Sequence, residues 1–582
     1  MGRKNRSGFR ARAGEPPHPG SGLVAKTRRR ARISDPSVVP KAPAAESPLA
    51  KGWSITRAAS LAIGAVAALL LLWIPLGSPR IGAFSDSIEY IILAQQMRGM
   101  LTGGDATLFL HTRFPAGFPA WLALAGVDVA HAARANWMSW LAFAWAMMAM
   151  ALWISREVAG RAAVAVTALT LAVPGLLIIA VNPVSESLFA ALLGTALLAR
   201  GNATSPSAPR EIAACIAAAL LPLVRTAGLP LAFAFAVWQW VHSPRPRRWS
   251  VALRAALIVG PGLAWHGWRA TLPIRGGYSS SFDVEQLRER FGSIGDFLAV
   301  QALAVPEGLA RLLDPVPGAL AWILAVLSLA LAGCGWWQRW RSQKLDASLL
   351  PLAIGMLQIW PWPNEYPRML WPFLAMLAMC VWQGVEATRA SWKPFRRHGA
   401  ALFAALLAIC MTSAWLQILS RIGLPLPAAD EPFKRQVAYL LAATPQQAAR
   451  IASAASAWDL AVRDLPNHVA RGDCVYAIAA EAVWLGSGGR VIARHFDQRI
   501  DPSAPLPAQL PLCRYVLAAQ MTSPQFPRLP ALFPLAVADR WADEVFRTEF
   551  AAGTQRLTAA ALLRQRAWTA PAALRPFEAE ER

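Results

Sequence analysis

The sequence predicts a mainly α, polytopic helical membrane protein with a small α/β domain at its C-terminal end. Three observations predict it. Of 582 residues, 55% are hydrophobic and only 16% are charged, against the roughly 25% charge usual in soluble chains. Apolar runs long enough to cross a bilayer recur along the chain. The basic excess, 57 Lys+Arg against 34 Asp+Glu for a net +23, falls in particular loops. An ordinary soluble enzyme is excluded. So is a disordered chain, which needs low hydrophobicity.

Residues 1–55 read as a disordered basic cytoplasmic tail. The first 50 residues hold eleven Lys/Arg against three Asp/Glu, amid Pro, Gly and Ser and with no apolar period. The tail is too long for a signal-peptide n-region and no small-residue cleavage site follows the first apolar run, so that run is expected to stay in the membrane. Contact with anionic lipid is the expected role. A nucleic-acid role rests on this tail alone and is disfavoured.

Apolar runs fall near 57–76, 136–154, 162–181, 184–199, 211–224, 228–243, 251–268, 319–338, 346–361, 369–385 and 399–419. Charge parity orders them. With the tail inside, the basic pairs and clusters Arg156/Arg161, Arg200/Arg210, Arg245/Arg247/Arg248, Arg339/Arg341/Lys344 and Arg389/Lys393/Arg396/Arg397 all fall inside. About 11 transmembrane helices result, with the N-terminus inside. Residues 56–420 form the membrane domain, in a bacterial inner membrane. The stretch 114–131 is apolar but begins with two prolines; counting it as a span would invert every later loop. It reads as a short surface helix within a first outer loop, 77–135.

Residues 421–582 read as a periplasmic α/β domain. Strand-like runs start at Cys474, Val491 and Tyr515, and helical stretches are expected near 431–463 and 555–567. Gly486-Ser-Gly-Gly489 reads as a turn rather than a phosphate loop. Cys474 and Cys513, alone in this polar part, could form one disulfide if it is periplasmic; the sequence leaves their pairing open. Cys215, Cys334, Cys380 and Cys410 lie in apolar stretches as small core residues. No zinc spacing is present.

Ionisable groups near membrane depth are expensive and point to function. Asp86, Glu89 and Tyr90 share one face of a helix at i, i+3 and i+4, opposite Phe84, Ile88, Ile91 and Ile92; a capping box at Asp86 and Glu89 is the plainer reading. His111 and Arg113 precede a Pro-broken apolar helix, where a snorkelling arginine is the alternative. Glu186 follows Asn182-Pro-Val-Ser, as a helix start with an acidic first turn would. Arg225 stands in an outer turn closed by Gly228. Arg269 ends a span beside Trp265, His266 and Trp268, which also suit an aromatic belt. Glu365 and Arg368 lie in Pro361-Trp-Pro-Asn-Glu-Tyr-Pro-Arg-Met-Leu-Trp-Pro372, otherwise a charged interfacial turn. Together these place carboxylates and guanidiniums at the outer ends of helices, a setting for a phosphate-bearing lipid.

The order of basic tail, one span, Asp86-x-x-x-Tyr90, then Arg113-Phe-Pro-x-Gly117-x-Pro119 resembles the GT-C superfamily of integral-membrane glycosyltransferases. It is most similar to the branch of protein O-mannosyltransferases and lipid A aminoarabinose transferases. Asn182-Pro-Val-Ser-Glu-Ser-Leu-Phe189 resembles the family's Ser-Glu-x-x-Phe helix start, Val224-Arg-Thr-Ala-Gly228 its Arg-x-x-Gly turn, and Tyr366-Pro-Arg-Met-Leu-Trp-Pro372 its late segment. The resemblance covers about 55–420 and implies sugar transfer from a polyprenyl-phosphate donor to a glycan, lipid or protein acceptor outside the membrane. It implies Asp86 as general base, Arg113 in a cation slot and Arg368 near donor phosphate. Glu89, Tyr90, His111, Glu186, Arg225, Arg269 and Glu365 complete the expected substrate-binding set. Many members carry adjacent acidic residues in the first motif; here Ser87 follows Asp86. No cofactor is required on this reading and no metal ligand is assigned, with a divalent metal left open. The rival readings are a lipid-linked glycan polymerase or ligase, and a non-enzymatic transporter or scaffold.

Overall fold

The computed structural model describes residues 55–72, 85–101, 114–158, 160–171, 173, 183–201, 207–242, 248–271, 287–288, 291–312, 318–360, 365–399, 401, 403–405, 407–409, 412, 416, 445–470, 473–477, 480–495, 512–519, 541–552 and 555–566. The basic tail, His111, Arg113 and the stretch 417–444 lie outside them.

A described helix overlies each expected apolar run from 57–76 to 369–385: α1 (Ile55–Leu70), α4 (Arg134–Glu157), α5 (Gly160–Leu171), α6 (Ser185–Arg200), α7 (Ala208–Val224), α8 (Gly228–His242), α9 (Arg248–Ala270), α12 (Gly318–Arg341), α13 (Leu345–Gln358) and α14 (Tyr366–Ser391). By length and composition α4, α12 and α14 suffice to cross a membrane. The last run, 399–419, is described only in part. Between α1 and α4 stand α2 (Ser85–Leu101) and α3 (Gly117–Leu124). With 8 residues, α3 is the short helix expected there, below the roughly 20 that a span needs. Two further helices, α10 (Ile294–Ala302) and α11 (Ala304–Leu312), precede α12. The apolar-run reading passed over them, although Ser293 and Asp296 form a cap pair: the Ser293 Oγ accepts from the Asp296 backbone N–H at 3.0 Å.

Close backbone approach holds the bundle together where glycine allows it. A Cβ at Gly335 of α12 would collide with the Cys380 carbonyl, and one at Gly384 of α14 with the Leu331 carbonyl. The two helices therefore cross through reciprocal small-residue notches, the mode that substitutes for hydrophobic drive inside a bilayer.

Several charges read as loop cations are enclosed instead. Arg339, 4% exposed, pairs with Asp346 at 2.6 Å and with Glu157 at 3.2 Å, and Lys344 reaches Glu157 at 3.3 Å. This network ties the ends of α4 and α12 to the start of α13.

The C-terminal part is a five-stranded sheet in the order β2-β1-β3-β5-β4. Its strands are β1 (Cys474–Ala477), β2 (Ile492–His495), β3 (Tyr515–Ala519), β4 (Ala542–Ala552) and β5 (Gln555–Gln565), with helices α15 (Pro445–His468) and α16 (Ala480–Gly486). β1 runs parallel to β2 and β3; β5 runs antiparallel to β3 and β4. All three strand-like runs are strands, α15 covers the described part of the first expected helix, and residues 487–489 form the expected turn, with Gly488 and Gly489 at φ 68° and 75°. The expected helix at 555–567 is corrected: it is β5. Its Ala- and Leu-rich sequence favours helix locally, but pairing with β3 and β4 along 11 residues satisfies its backbone in a sheet. Cys474 and Cys513 are bonded, with Cα atoms 4.8 Å apart, joining the start of β1 to the entry of β3.

Candidate functional site: a buried guanidinium among three carboxylates

The site forms where the beginnings of α2, α6 and α14 meet the turn after α7. Two prolines shape α14. Pro367 sits in its first turn, where a missing N–H costs nothing. Pro372 cannot donate to the carbonyl four residues back, and the chain tightens to a 3-10 turn over Trp371–Phe373. Trp371 stacks on Phe143 at 5.7 Å and Phe373 meets Phe189 edge-on at 6.0 Å. These contacts fix the first turn of α14, and with it Arg368, against α4 and α6.

Arg368 is the hub. Its Nη2 lies 3.1 Å from Asp86 Oδ2 and 3.3 Å from Glu365 Oε2, and its Nε lies 2.6 Å from Glu186 Oε1. Glu186 also pairs with Arg225 Nη1 at 2.5 Å. Arg225 donates to Ser185 Oγ at 3.0 Å, and that hydroxyl lies 3.2 Å from the Tyr90 hydroxyl. Asp86, Tyr90, Glu186, Arg225, Glu365 and Arg368, chosen from segments up to 282 residues apart, are thus brought into one connected cluster.

The accessibilities separate roles within it. The Glu186 side chain is 1% exposed and that of Arg368 5%, while Asp86 and Glu365 keep 18% and 16%. Glu186 is enclosed and bridges two guanidiniums. Asp86 and Glu365 are the more exposed carboxylates of the cluster.

Asp86 is not the helix cap: α2 begins at Ser85 and Asp86 lies in its first turn. Nor is α2 simply two-faced. Ser87, Ile88, Tyr90, Ile91, Leu93 and Ala94 are all buried, and both α3 and α16 pack on this helix. Tyr90 lies against Phe114 and Phe118, with ring centroids 4.7 and 4.9 Å away.

Glycines explain the short motifs. A Cβ at Gly228 would strike the Leu221 carbonyl, so the Arg225-Thr-Ala-Gly turn closes only on glycine; a Cβ at Gly117 would lie 2.7 Å from the Leu223 carbonyl. The first-loop motif therefore packs directly on the turn that aims Arg225 at Glu186.

Glu89 is half-buried one turn beyond Asp86, and Arg269 is half-buried at the end of α9, outside the ion pairs given above. Ser185, quoted in the sequence only as part of a helix start, links Tyr90 to Arg225. Gln301, which the sequence reading passed over, is 3% exposed on α10; it accepts from the Tyr366 hydroxyl at 2.6 Å and donates to the Trp360 carbonyl at 2.7 Å. The Ser293 cap was the available signal for the helix carrying Gln301. Among the described residues no group of three or more His, Cys, Asp or Glu is arranged to hold a metal ion.

No family model matches the chain, and no curated protein matches it. Among solved structures it is similar to ArnT from Cupriavidus metallidurans bound to undecaprenyl phosphate, with a TM-score of 0.45 and 13% identity over 88% of this chain and 99% of that one. The same enzyme in the apo state gives 0.47 and 14% over 86% and 97%. An oligosaccharyltransferase from Archaeoglobus fulgidus, tethered to an acceptor peptide containing the NVT sequon, gives 0.44 and 14% over 86% and 75%.

Proposed function

We propose that the protein is a membrane glycosyltransferase that moves a sugar from a polyprenyl-phosphate donor to a hydroxyl acceptor at the outer membrane face, with Asp86 as general base. The observation that carries this reading is the position of Asp86: it is fixed by Arg368 at 3.1 Å yet partly open to a second molecule. A carboxylate held in one orientation beside an attacking hydroxyl is what general-base catalysis needs.

The reaction is a single in-line displacement. The acceptor oxygen bonds to the anomeric carbon, the bond from that carbon to the phosphate oxygen breaks, and the acceptor proton passes to Asp86. The bonding electrons leave with the lipid phosphate. Arg368 is engaged by three carboxylates, so its task is to orient Asp86 and Glu365. The developing phosphate charge then falls to other cations, for which Arg113 and Arg269 are the candidates from the sequence. The Cys474–Cys513 disulfide suits a C-terminal domain in an oxidising compartment such as the periplasm.

The deciding variant is Asp86→Asn, which is nearly isosteric. It should remove transfer in a donor-lipid assay by roughly 100-fold or more, the usual contribution of a general base, while leaving thermal stability and membrane insertion close to wild type. Wild-type turnover by a folded D86N protein would remove Asp86 from the mechanism.

A further inference from the structure

Along α14, from Leu374 to Arg389 at the end away from Arg368, runs a groove whose lining includes none of the Arg368 cluster. It has a volume of about 470 Å³. Its walls are apolar, formed by α5 (Val166, Leu169), α11 (Leu312), α12 (Ala325) and α14 (Leu377, Ala378), with Phe403 beyond them. Two cations complete the lining, Arg389 and Arg396. From Arg368 to Arg389 is 21 residues along α14, with its 3-10 turn, about 32 Å at the helical rise. That is close to the roughly 30 Å of a bilayer's hydrocarbon core. The arginines therefore stand at the membrane surface away from the Arg368 cluster.

Their surroundings mark an interface. Trp392, 57% exposed, stacks on Phe395 at 6.1 Å, as aromatic residues do at headgroup level. Lys393 is exposed nearby. The acidic neighbour is Glu386, which pairs with Arg389 at 2.9 Å with both side chains more than 40% exposed. Such a solvated pair is weak and yields to a phosphate that guanidinium can hold bidentately.

We propose that this groove binds an anionic diacyl phospholipid of the leaflet away from the Arg368 cluster. Its acyl chain lies along the walls contributed by α5, α12 and α14, and its phosphate rests on Arg389 and Arg396. The charge complementarity selects the occupant: a neutral chain would need the apolar walls alone, whereas this groove ends in two guanidiniums. The site stands whether or not the transfer reaction is as proposed above.

The test is native mass spectrometry of the delipidated full-length protein after exposure to equal amounts of phosphatidylglycerol and phosphatidylcholine with matched acyl chains. The wild type should retain phosphatidylglycerol with a preference of about twenty-fivefold, taking about fivefold for each near-surface arginine. The double variant Arg389→Gln/Arg396→Gln should lose the preference. Arg341→Gln, at the same end of α12 but off the groove, should keep it. Ala378→Phe, which fills the wall and leaves both arginines, should lower retention of both lipids. Equal retention by the wild type would overturn the site, as would a preference that survives in the double variant. Displacement of phosphatidylglycerol by equimolar polyprenyl phosphate, itself abolished by Ala378→Phe, would assign the groove to a donor tail and overturn the proposal equally.

Discussion

Within the cluster, three carboxylates that look alike in sequence differ in what their removal should do. Glu186 is enclosed and holds two guanidiniums at 2.5 and 2.6 Å. Glu186→Gln leaves both cations short of a counter-charge in a nearly dry setting. Breaking a buried pair in this way costs about 3–5 kcal/mol, so a marked fall in the unfolding temperature of the purified protein is expected. Asp86→Asn, at the accessible edge, should spare stability and abolish transfer. The two variants together separate an architectural carboxylate from a reactive one; equal losses of stability would mean that Asp86 is architectural too. Asp128 supplies a pH-dependent case away from the membrane spans. Partial burial pushes its carboxyl up, but hydrogen bonds from the backbone and ring of His131 and from Arg98 overcome this and hold it below the usual carboxylate range. A carboxyl depressed in the folded state stabilises above its ordinary pKa, and the contribution is lost as pH falls through the folded value. These groups are partly solvated, so the gain is at most about 1 kcal/mol. Asp128→Asn should therefore lower the unfolding temperature slightly at pH 7 and leave it unchanged near pH 2. An undiminished difference at pH 2 would contradict the assignment.

At the scale of elements, packing rather than propensity decides what short motifs become. Gly335 and Gly384 let α12 and α14 meet backbone to backbone. Gly384→Val should force the pair apart at about 1–3 kcal/mol, the range for overpacked cores, while Gly355→Val on α13, where a Cβ would meet nothing within 4 Å, should be tolerated. Thermal unfolding in one detergent compares them directly. In the C-terminal sheet, the disulfide spans 39 residues and should stabilise that part by about 2–4 kcal/mol. Cys474→Ser/Cys513→Ser should make the sheet sensitive to protease while the membrane helices resist. The misread β5 belongs at this scale too. Its Ala-Ala-Ala-Leu-Leu run carries no alternation, and only the adjacent β3 and β4 make it a strand.

At the scale of the whole molecule, the apolar runs and their order could be read directly, because burial in lipid demands long apolar helices whatever their partners. The candidate site was legible in part for the same reason: Asp86, Glu186, Arg225, Glu365 and Arg368 are ionisable groups where such groups are costly. What could not be read was their mutual geometry. A string of residues does not say that Glu186, rather than Glu89, sits between two arginines, nor that Ser185 and Gln301 tie the cluster to its neighbours. Nor does it distinguish Arg339, enclosed by Asp346 and Glu157, from the solvated Arg389. In the C-terminal part, Leu485 of α16 lies against the membrane-domain core and α16 against α2. Composition and hydropathy act locally, so the sequence alone determined the apolar helical character, a short helix within 114–131 and three of the five strands. Ion pairing, close glycine contacts and sheet partnership join residues hundreds of positions apart, and only the tertiary structure decided which carboxylate is enclosed, which is open, and which Ala-rich segment is a strand.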